Sequence, residues 1–173
     1  RAPRGCRLLP ADAAGHPARP GHPGHRRRAW AAGSRGERDD GAGLLAGTKR
    51  INVFATLHVP LNHPVVAAKQ MATIDHIGEG RFGVNVVCGW NEDEFRMFGV
   101  SARAHDARYA QGEEWWDIVR RLWARGEPFD FEGTYYQLTR AEGSPRPYGE
   151  DRPLMMNAGS SPAGRQFAMR YSD

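Results

Sequence analysis

Residues 51–87, INVFATLHVPLNHPVVAAKQMATIDHIGEGRFGVNVV, hold the pattern that decides the fold. Residues 51–57 are a β-branched and aromatic run, which predicts a buried strand. A helix is predicted to begin at Pro64, because apolar residues then recur at helical spacing until two glycines end the pattern. Residues 82–87 are again almost continuously apolar, as is typical of a parallel strand covered on both faces. The stretch therefore predicts a strand, a helix and a second strand in succession.

The same alternation continues after the second strand. A predicted loop at residues 89–105 precedes a predicted helix at residues 106–123, in which apolar residues recur three and four positions apart. Asp106 is expected to cap the N-terminus of this helix. Residues 129–138 resemble a short hairpin with a glycine at its middle, which predicts a surface insertion.

A third strand and a last helix complete the pattern. The strand is predicted at residues 154–158, and Ser161 and Pro162 mark the start of a helix that ends at Tyr171. Strand-helix units in this order indicate an α/β protein with a parallel sheet or barrel and right-handed crossovers. Both architectures place ligand-binding groups at the carboxyl ends of the strands, so the residues that follow each strand are of most interest.

Residues 1–40 differ in composition and are predicted to form a separate, disordered segment. They contain no Ile, Val, Phe, Tyr or Met, so they cannot supply a hydrophobic core. Their Arg, Pro, Gly, Ala and His content is typical of GC-rich DNA translated in a wrong frame, and our hypothesis is a frameshift or mis-assigned start. The alternatives are a natural basic tail that binds an acidic partner or nucleic acid, and an Arg- and Ala-rich transit peptide. The predicted domains are residues 1–40 and residues 41–173.

The excess of basic charge is concentrated in that first segment. The chain carries 24 Lys and Arg against 20 Asp and Glu, a net charge of +4, but acids and bases are roughly balanced after residue 40. Nucleic-acid binding by the larger part is therefore not expected. Cys6 and Cys88 lack the spacing of a disulfide framework or zinc site, and no stretch has the length and apolarity of a membrane span. We expect a cytoplasmic protein that binds neither a metal nor a membrane.

Residues 63–95, HPVVAAKQMATIDHIGEGRFGVNVVCGWNEDEF, resemble the FMN-dependent monooxygenases of the bacterial luciferase superfamily. The likeness is strongest to the branch that contains alkanesulfonate, dimethyl sulfone and pyrimidine monooxygenases. Further blocks follow in the family's order: ARYAQGEEWWDIVRRLW at 107–123, FEGTYYQL at 131–138 and NAGSSPAGRQFAMRYSD at 157–173. The resemblance implies a TIM (β/α)8 barrel. Because a complete barrel usually needs about 250 residues, we expect a partial barrel of about three central units with a hairpin insertion.

The resemblance also implies which residues bind the cofactor, reduced FMN. Asn85 matches a position at which the family offers an amide to the flavin ring, and Glu94 matches a position near the cofactor. Arg108 and Tyr109 match a pair that reaches the ribityl phosphate, where Arg supplies a charge-assisted fork and Tyr a hydroxyl. Ser161 precedes a helix whose free N–H groups favour a phosphate.

Each of these residues also has an ordinary structural interpretation. Asn85 can be a core amide that bonds to the backbone, and Glu94 can be a solvated loop residue. Arg108 can lie on the surface with Tyr109 packed in the core, and Ser161 can be a helix N-cap and no more. Side-chain contacts distinguish these interpretations.

Thr56, His58 and Trp90 are expected to line the substrate pocket. Thr56 and His58 end the first strand, where the family's substrate and flavin pocket lies, although His58 is equally consistent with a structural histidine. Trp90 follows the second strand and can form a wall of the pocket. Cys88 stands where Ser or Thr is expected in this branch, and it is not expected to be a nucleophile, because no base accompanies it.

The resemblance implies a reaction as well as a fold. A separate NAD(P)H-dependent flavin reductase supplies reduced FMN, which with dioxygen oxygenates a small organic substrate such as an alkanesulfonate, sulfone or pyrimidine. The family's main catalytic His and Arg lie on later strands, so no catalytic residue is assigned here. The chain alone is expected to be inactive and prone to aggregate through open strand edges, and the intact protein is expected to be a homo-oligomer. The alternatives are a deazaflavin-dependent oxidoreductase of the same superfamily and a non-enzymatic basic module that binds nucleic acid.

Overall fold

Strands and helices alternate along the chain as the sequence pattern predicts. A computed structural model describes residues 36–89, 92–101, 103–149 and 152–173, without the side chains of residues 36–39 and Glu94. In chain order the elements are α1 (Gly36–Gly47), β1 (Val53–His58), α2 (Pro64–Gly78), β2 (Phe82–Val87), α3 (Glu92–Met97), α4 (His105–Trp123), β3 (Phe129–Glu132), β4 (Gln137–Ala141), β5 (Leu154–Met156) and α5 (Pro162–Tyr171). A turn of 3-10 helix, Val59–Leu61, joins β1 to α2.

The described structure begins inside the segment that was predicted to be disordered. Residues 1–35 lie outside the described part, so disorder there stays a prediction. α1 begins at Gly36, and its Leu45 is 1% exposed within the same hydrophobic core as residues of α2 and β1. Burial of this leucine explains why the helix belongs to the α/β domain although its first residues are polar.

β1, β2 and β5 form one parallel sheet with β2 in the middle. Thr56 pairs with Asn85, and Asn85 pairs with Met156, so the side chains of these residues share one face of the sheet. β1 and β5 are slightly shorter than predicted, whereas α2, β2 and α5 have the predicted bounds. Parallel strands joined through helices are the arrangement from which a barrel is built, which confirms the α/β prediction.

The helices cover only one face of the sheet. Alternate strand residues such as Leu57 and Val86 are 1% and 0% exposed in the core beneath the helices. The residues between them face the other way, and there Phe54, Leu154 and Met156 are 44%, 52% and 42% exposed. In a closed barrel the face away from the helices is the interior. The open face of this sheet therefore corresponds to the inner wall of a barrel.

The segment between β2 and α4 differs from the prediction in two respects. A short helix, α3, forms within the predicted loop, because its Phe95 is 1% exposed and anchors an otherwise polar run. α4 begins at His105, and the residue in the N-cap position is Ala104, which makes no side-chain capping bond. The prediction of Asp106 as the cap is therefore wrong. Asp106 lies in the first turn, where its carboxylate contacts the imidazole Nδ1 of His105 at 2.9 Å.

Tryptophans pack α4 against the sheet and against α2. Trp115 and Trp116 are both 0% exposed, and Trp123 is 6% exposed. The indole N–H of Trp115 donates to the carbonyl of Asn62 at 2.8 Å, and that of Trp123 donates to Ala68 at 3.1 Å. These bonds satisfy the polar atoms of two large buried side chains. No helix in the described part of the chain is long and apolar enough to cross a membrane.

The predicted hairpin consists of β3 and β4 and is held to α4 by one carboxylate. The side chain of Glu114 accepts hydrogen bonds from the backbone N–H groups of Thr134 and Tyr135, at 2.8 and 2.9 Å. The turn of the hairpin thereby finds acceptors for N–H groups that the strand ladder does not use. The hairpin is a surface insertion, as predicted, because two of the four residues of β3 and three of the five residues of β4 are exposed and none is buried.

A buried carboxylate lies at the amino-terminal edge of the sheet. Asp75 of α2 is 1% exposed, and its Oδ2 accepts a hydrogen bond from the backbone N–H of Tyr148 at 2.9 Å. Burial raises the pKa of Asp75 above its ordinary value, while the hydrogen bond from Tyr148 opposes that shift. The contact ties the loop before β5 to α2, and contacts at this end of a barrel serve stability.

Replacing Asp75 by Asn and by Ala separates the effect of its charge on stability from the effect of its hydrogen bond. Because the pKa is raised on folding, the stability that the protonated carboxyl gives is lost as pH rises above the ordinary value. Asp75→Asn can keep the Tyr148 bond, so it is expected to be at least as stable as the native chain near about pH 7, with a smaller advantage near about pH 4. Asp75→Ala leaves the N–H of Tyr148 unpaired and is expected to lose about 1–3 kcal/mol. Urea unfolding followed by tryptophan fluorescence measures both, and a pH-independent advantage of Asp75→Asn would contradict the raised pKa.

A second carboxylate joins the end of α5 to β5. The two terminal nitrogens of Arg152 donate to the carboxylate oxygens of Asp173 at 2.7 and 2.6 Å, and the N–H of Met155 donates to the same side chain at 2.8 Å. The hydrogen bonds from Arg152 hold the pKa of Asp173 below its usual range, although burial opposes them. This pair is partly exposed, so solvent screens it.

Asp173→Asn is expected to cost up to about 1 kcal/mol of unfolding free energy at neutral pH, the value typical of a partly exposed ion pair. A lowered pKa gives stability that is present above the unfolded pKa and is lost as pH falls through the folded pKa. The deficit of this variant should therefore disappear in acid, opposite in sign to the effect at Asp75. Asp93→Asn is the control, because Asp93 pairs with Arg96 where both side chains are largely exposed. A deficit that persists at low pH would show that the ion pair is not its cause.

Candidate functional site

The carboxyl ends of β1, β2 and β5 lie along one edge of the sheet, and Asn85 and Thr56 lie side by side near that edge. The Nδ2 of Asn85 donates to the hydroxyl of Thr56 at 3.3 Å. Its Oδ1 is buried, and no described residue forms a hydrogen bond with it. A core asparagine that bonds to the backbone does not fit this geometry, since the amide bonds to a side chain and keeps one acceptor unmatched. A buried amide oxygen without a partner is costly, and a ligand N–H group at the inner wall would satisfy it.

His58 ends β1 on the same side of that strand as Thr56, because strand residues two apart share a face. It is 6% exposed and pairs with Val87 in the register of the sheet. Thr56 is half-buried. Trp90 lies outside the described residues. Of Glu94 only the backbone is described, within α3, so the roles expected for Trp90 and Glu94 stay predictions.

A cavity at the start of α5 brings Arg108, Tyr109 and Ser161 together. Its volume is about 470 Å³, and the turn after β2 and the loop at residues 157–161 form the rest of its wall. Arg108 and Tyr109 come from the first turns of α4, whereas Ser161 precedes α5. The cavity is thus the place where two strand-helix units meet. Three of the five residues expected to bind the cofactor face one space.

Ser161 closes the N-terminus of α5 with a side-chain hydrogen bond. Its hydroxyl oxygen accepts from the backbone N–H of Gly164 at 3.1 Å, and Pro162 occupies the first helical turn. The ordinary interpretation of Ser161 as an N-cap is therefore correct. It does not exclude ligand binding, because a helix N-terminus still presents other free N–H groups and the positive end of its dipole.

Asn157 fixes the loop that leads to this helix. Its Nδ2 donates to the carbonyl of Val86 at 2.6 Å, and its Oδ1 accepts from the N–H of Gly159 at 2.9 Å. One amide thereby joins the loop after β5 to the neighbouring strand β2. The sequence placed Asn157 at the end of a strand without giving it a role, and an isolated asparagine in a loop carries no signal for such a bridge.

Of the guanidinium nitrogens of Arg108, one has a hydrogen-bond partner and another is buried without one among the described residues. A terminal nitrogen of its guanidinium donates to the carbonyl of Gly89 at 2.9 Å, which joins α4 to the turn after β2. Its Nε is buried and has no hydrogen-bond partner among the residues whose side chains are described. A solvated surface arginine does not fit these observations. Burial of a charged donor is costly unless a counter-charge or acceptor accompanies it, so the geometry favours an anionic ligand.

The hydroxyl of Tyr109 lies in a niche made by two glycines. A Cβ at Gly159 would come within 2.9 Å of this oxygen, and a Cβ at Gly164 within 2.6 Å. Side chains at either position would therefore displace the hydroxyl from the start of α5. The ring itself contacts Phe167 at a centroid distance of 6.0 Å. Tyr109 is thus packed through its ring and polar at its tip, which faces the cavity.

The charge of the cavity is positive. Arg108 lines it, and none of the described residues that line it is acidic. Groups of His, Cys, Asp and Glu that could hold a metal ion are absent from the described part of the chain. The arrangement can bind a small anion at the helix terminus by charge, by a hydroxyl and by backbone N–H groups together.

Cys88 lines the same cavity, but its thiol is buried and stays protonated. It is 3% exposed, and burial raises its pKa to about 12, with a smaller contribution from Glu113. The sulfur packs against Gly112, where a Cβ would collide with it. A thiol of this pKa holds its proton at neutral pH, which fits the expectation that Cys88 is not a nucleophile.

Known proteins resemble the larger part of this chain. Residues 41–173 match the family model described as luciferase-like monooxygenase. The FMNH(2)-dependent dimethylsulfone monooxygenase of Pseudomonas fluorescens (strain Pf0-1) is 39% identical over 130 residues, 75% of this chain and 35% of that protein. Pyrimidine monooxygenase RutA of Pseudomonas syringae pv. syringae (strain B728a) is 37% identical over 134 residues, 76% of this chain and 36% of that protein. The chain spans about a third of the length of these curated relatives.

Solved structures share the same segment of fold. EDTA monooxygenase from Chelativorans sp. BNC1 matches with a TM-score of 0.71 and 25% identity over 79% of this chain and 37% of that one. A riboflavin lyase solved with modified FMN and riboflavin matches with a TM-score of 0.70 and 29% identity over 76% and 34%. An F420-dependent secondary alcohol dehydrogenase matches with a TM-score of 0.63 and 26% identity over 76% and 39%. The predicted fold class is confirmed, and the chain belongs, through residues 41–173, to the luciferase-like monooxygenase family.

Proposed function

We propose that this chain carries the phosphate-binding part of a flavin site, and that the complete protein is an FMN-dependent monooxygenase. The supporting observation is the cavity at the start of α5, where Arg108, Tyr109 and Ser161 meet. A cationic fork, a hydroxyl and the free N–H groups of a helix terminus are the donors that suit a phosphate monoester. The name of the dimethylsulfone relative includes dependence on FMNH2.

Two buried atoms without partners among the described residues, one near the cavity and one on the inner wall, suit the phosphate and the flavin ring of FMN. The buried Nε of Arg108 is a donor that a phosphate oxygen can accept from. The buried Oδ1 of Asn85 is an acceptor on the inner wall of the sheet. A flavin ring offers an N–H group between two carbonyls, which an amide oxygen can bind. Both orphaned atoms would gain partners from one ligand.

The residues divide into a cofactor set and a pocket set. The proposed cofactor-binding residues are Asn85, Glu94, Arg108, Tyr109 and Ser161, and the proposed pocket residues are Thr56, His58 and Trp90. Reduced FMN supplies two electrons, so that one atom of dioxygen enters the substrate and the other leaves as water. The task of these side chains is to bind and orient the reactants and to exclude water from them.

The open sheet supports a larger barrel around this site. The outer edges of β1 and β5 have no strand partner among the described residues, and the inner wall exposes Phe54, Leu154 and Met156. Further strands on those edges would close the barrel over the inner wall. We propose that the complete protein forms a homo-oligomer, receives reduced FMN from an NAD(P)H-dependent flavin reductase, and oxygenates a small organic molecule.

A deazaflavin-dependent oxidoreductase is the second candidate. The structural likeness to an F420-dependent alcohol dehydrogenase favours it, because a flavin and a deazaflavin present similar rings. The two functions differ in their need for oxygen, since hydride transfer to or from a deazaflavin consumes none. Oxygen uptake by the complete protein that requires both reduced FMN and a substrate would identify the monooxygenase.

FMN and riboflavin differ only in the phosphate, so their affinities isolate the contacts of the cavity. We expect this chain to bind FMN at least about tenfold more tightly than riboflavin, measured by quenching of flavin fluorescence. Arg108→Gln is expected to remove most of that preference and to leave riboflavin binding unchanged, because only the charged donors are lost. Tyr109→Phe, which removes one hydroxyl, is expected to weaken FMN about two- to fivefold.

Arg125→Gln is the control for these variants, because Arg125 is exposed beyond the end of α4 and does not line the cavity. It removes the same charge from the chain and is expected to leave both affinities unchanged. Equal binding of FMN and riboflavin by the native chain would refute the phosphate assignment. An equal loss of FMN binding in Arg125→Gln would show that only net charge matters.

A further inference from the structure

The chain leaves the sheet after β5 at a point where a side chain takes the place of a strand partner. β5 pairs with β2 in register as far as Met156 and Asn85. The residues that follow this pair are Asn157 after β5 and Val86 on β2. There the Nδ2 of Asn157 donates to the carbonyl of Val86 at 2.6 Å. This bond keeps the end of β5 beside β2 where the backbone turns toward α5.

Both ends of the Asn157 carboxamide have hydrogen-bond partners. Its Oδ1 accepts from the backbone N–H of Gly159, two residues further along the chain, at 2.9 Å. Because the Val86 carbonyl can only accept and the Gly159 N–H can only donate, the amide is held in one orientation. Asn157 therefore fixes the loop that precedes α5 against the middle strand of the sheet.

Gly159 connects the carboxamide to the groups of the cavity at the start of α5. A Cβ at this glycine would lie 2.7 Å from the Asn157 oxygen and 2.9 Å from the hydroxyl of Tyr109. It would also lie 2.9 Å from the Cα of Gly164 in the first turn of α5. The N–H of Gly164 in turn donates to the hydroxyl of Ser161. A shift of Gly159 would therefore disturb the Tyr109 hydroxyl and the first turn of α5 together.

We propose that Asn157 is a positioning residue for the flavin, which holds the phosphate-binding end of the site at a fixed distance from the ring-binding end. The ring-binding end is Asn85, which directly precedes Val86, the residue to which the carboxamide donates. The phosphate-binding end is Tyr109 with the start of α5, beside Gly159. In FMN a chain of fixed length joins the ring to the phosphate, so one ligand reaches both ends only when their spacing is right. This inference rests on the proposed function.

Loss of the Asn157 hydrogen bonds is expected to act on the phosphate and not on the ring. β2 pairs with β1 over residues 82–87, so Asn85 keeps its place when Asn157 is replaced. The loop at residues 157–161 loses its side-chain bond to β2 and shifts. The expected result is a weaker preference for FMN over riboflavin, which lacks the phosphate. A general loosening of the fold would instead weaken the binding of both flavins alike.

Fluorescence titration of the full chain with FMN and with riboflavin tests the role of Asn157. Asn157→Leu keeps a similar side-chain size and removes both hydrogen bonds, so it is expected to weaken FMN binding about fivefold and to leave riboflavin binding unchanged. Asn62→Leu is the control. The Nδ2 of Asn62 also donates to a carbonyl, that of His58 at 2.8 Å, and Asn62 is not among the described residues that line the cavity. This variant is expected to keep the native ratio of the two affinities.

A double-mutant cycle tests whether Asn157 acts through Tyr109. Tyr109→Phe is expected to weaken FMN binding by less than about twofold in the Asn157→Leu background, because the hydroxyl is already displaced there. Gly159→Ala tests the same contact without a change at Asn157, because its Cβ would press on the carboxamide and on the Tyr109 hydroxyl. It is expected to lower the preference for FMN as well, and it decides if Asn157→Leu fails to fold.

The native chain and the variants test different claims. Equal binding of FMN and riboflavin by the native chain would refute the proposed phosphate site, and this inference with it. A native preference for FMN that persists in Asn157→Leu or in Gly159→Ala would refute only the role of Asn157. Equal weakening of both flavins by Asn157→Leu would show that the residue serves the fold alone. Additive effects of Asn157→Leu and Tyr109→Phe would show that the carboxamide does not position the hydroxyl.

Discussion

Parallel pairing around β2 is the constraint on which the rest of the molecule depends. β1 and β5 run in the same direction as β2, so all three strands end at one edge of the sheet. Each turn that follows a strand, and each helix that begins after it, reaches the same region without a long connection. Asn85, Arg108 and Ser161 come from separate parts of the sequence and arrive at one end of the domain for this reason.

The two edges of the sheet use their polar groups differently. At the amino-terminal edge most of them have several partners: Arg81 donates to the carbonyls of Leu45 and Ile51, and Arg152 binds Asp173 through two bonds. At the carboxyl edge the amide of Asn85, the guanidinium of Arg108 and the carboxamide of Gln111 each have one buried atom without a hydrogen-bond partner among the described residues. Asp75 is buried at the first edge, where backbone N–H groups of Tyr148 and Phe82 lower the pKa of its carboxyl against the effect of burial. Polar side chains at the amino-terminal edge therefore stabilise the fold, whereas those at the carboxyl edge have atoms that a ligand would satisfy.

Local signals account for the parts of the structure that the sequence predicts well. Hydrophobic periodicity with Pro64 and with Ser161 at the helix starts gives α2 and α5 their correct bounds, and an apolar run gives β2. α3 was missed because one buried residue, Phe95, decides it within a polar stretch. The buried position of Gln111 was missed for a related reason: it lies on α4 one turn before Trp115, and only its hydrogen bond to the distant Tyr136 explains its burial. A family resemblance identifies residues that match the family's motifs. It does not identify contacts between residues that are distant in the sequence.

The inner wall of the sheet contains a pair of positions that are fixed together. The ring of Phe54 lies directly over Gly83 on the neighbouring strand, and any Cβ at position 83 would collide with that ring. A larger residue at 83 therefore requires the ring of Phe54 to move or a smaller residue to replace it. In homologues, a larger side chain at position 83 is therefore expected together with a smaller one at position 54. The space on the inner wall at this level is thus set by the two residues together.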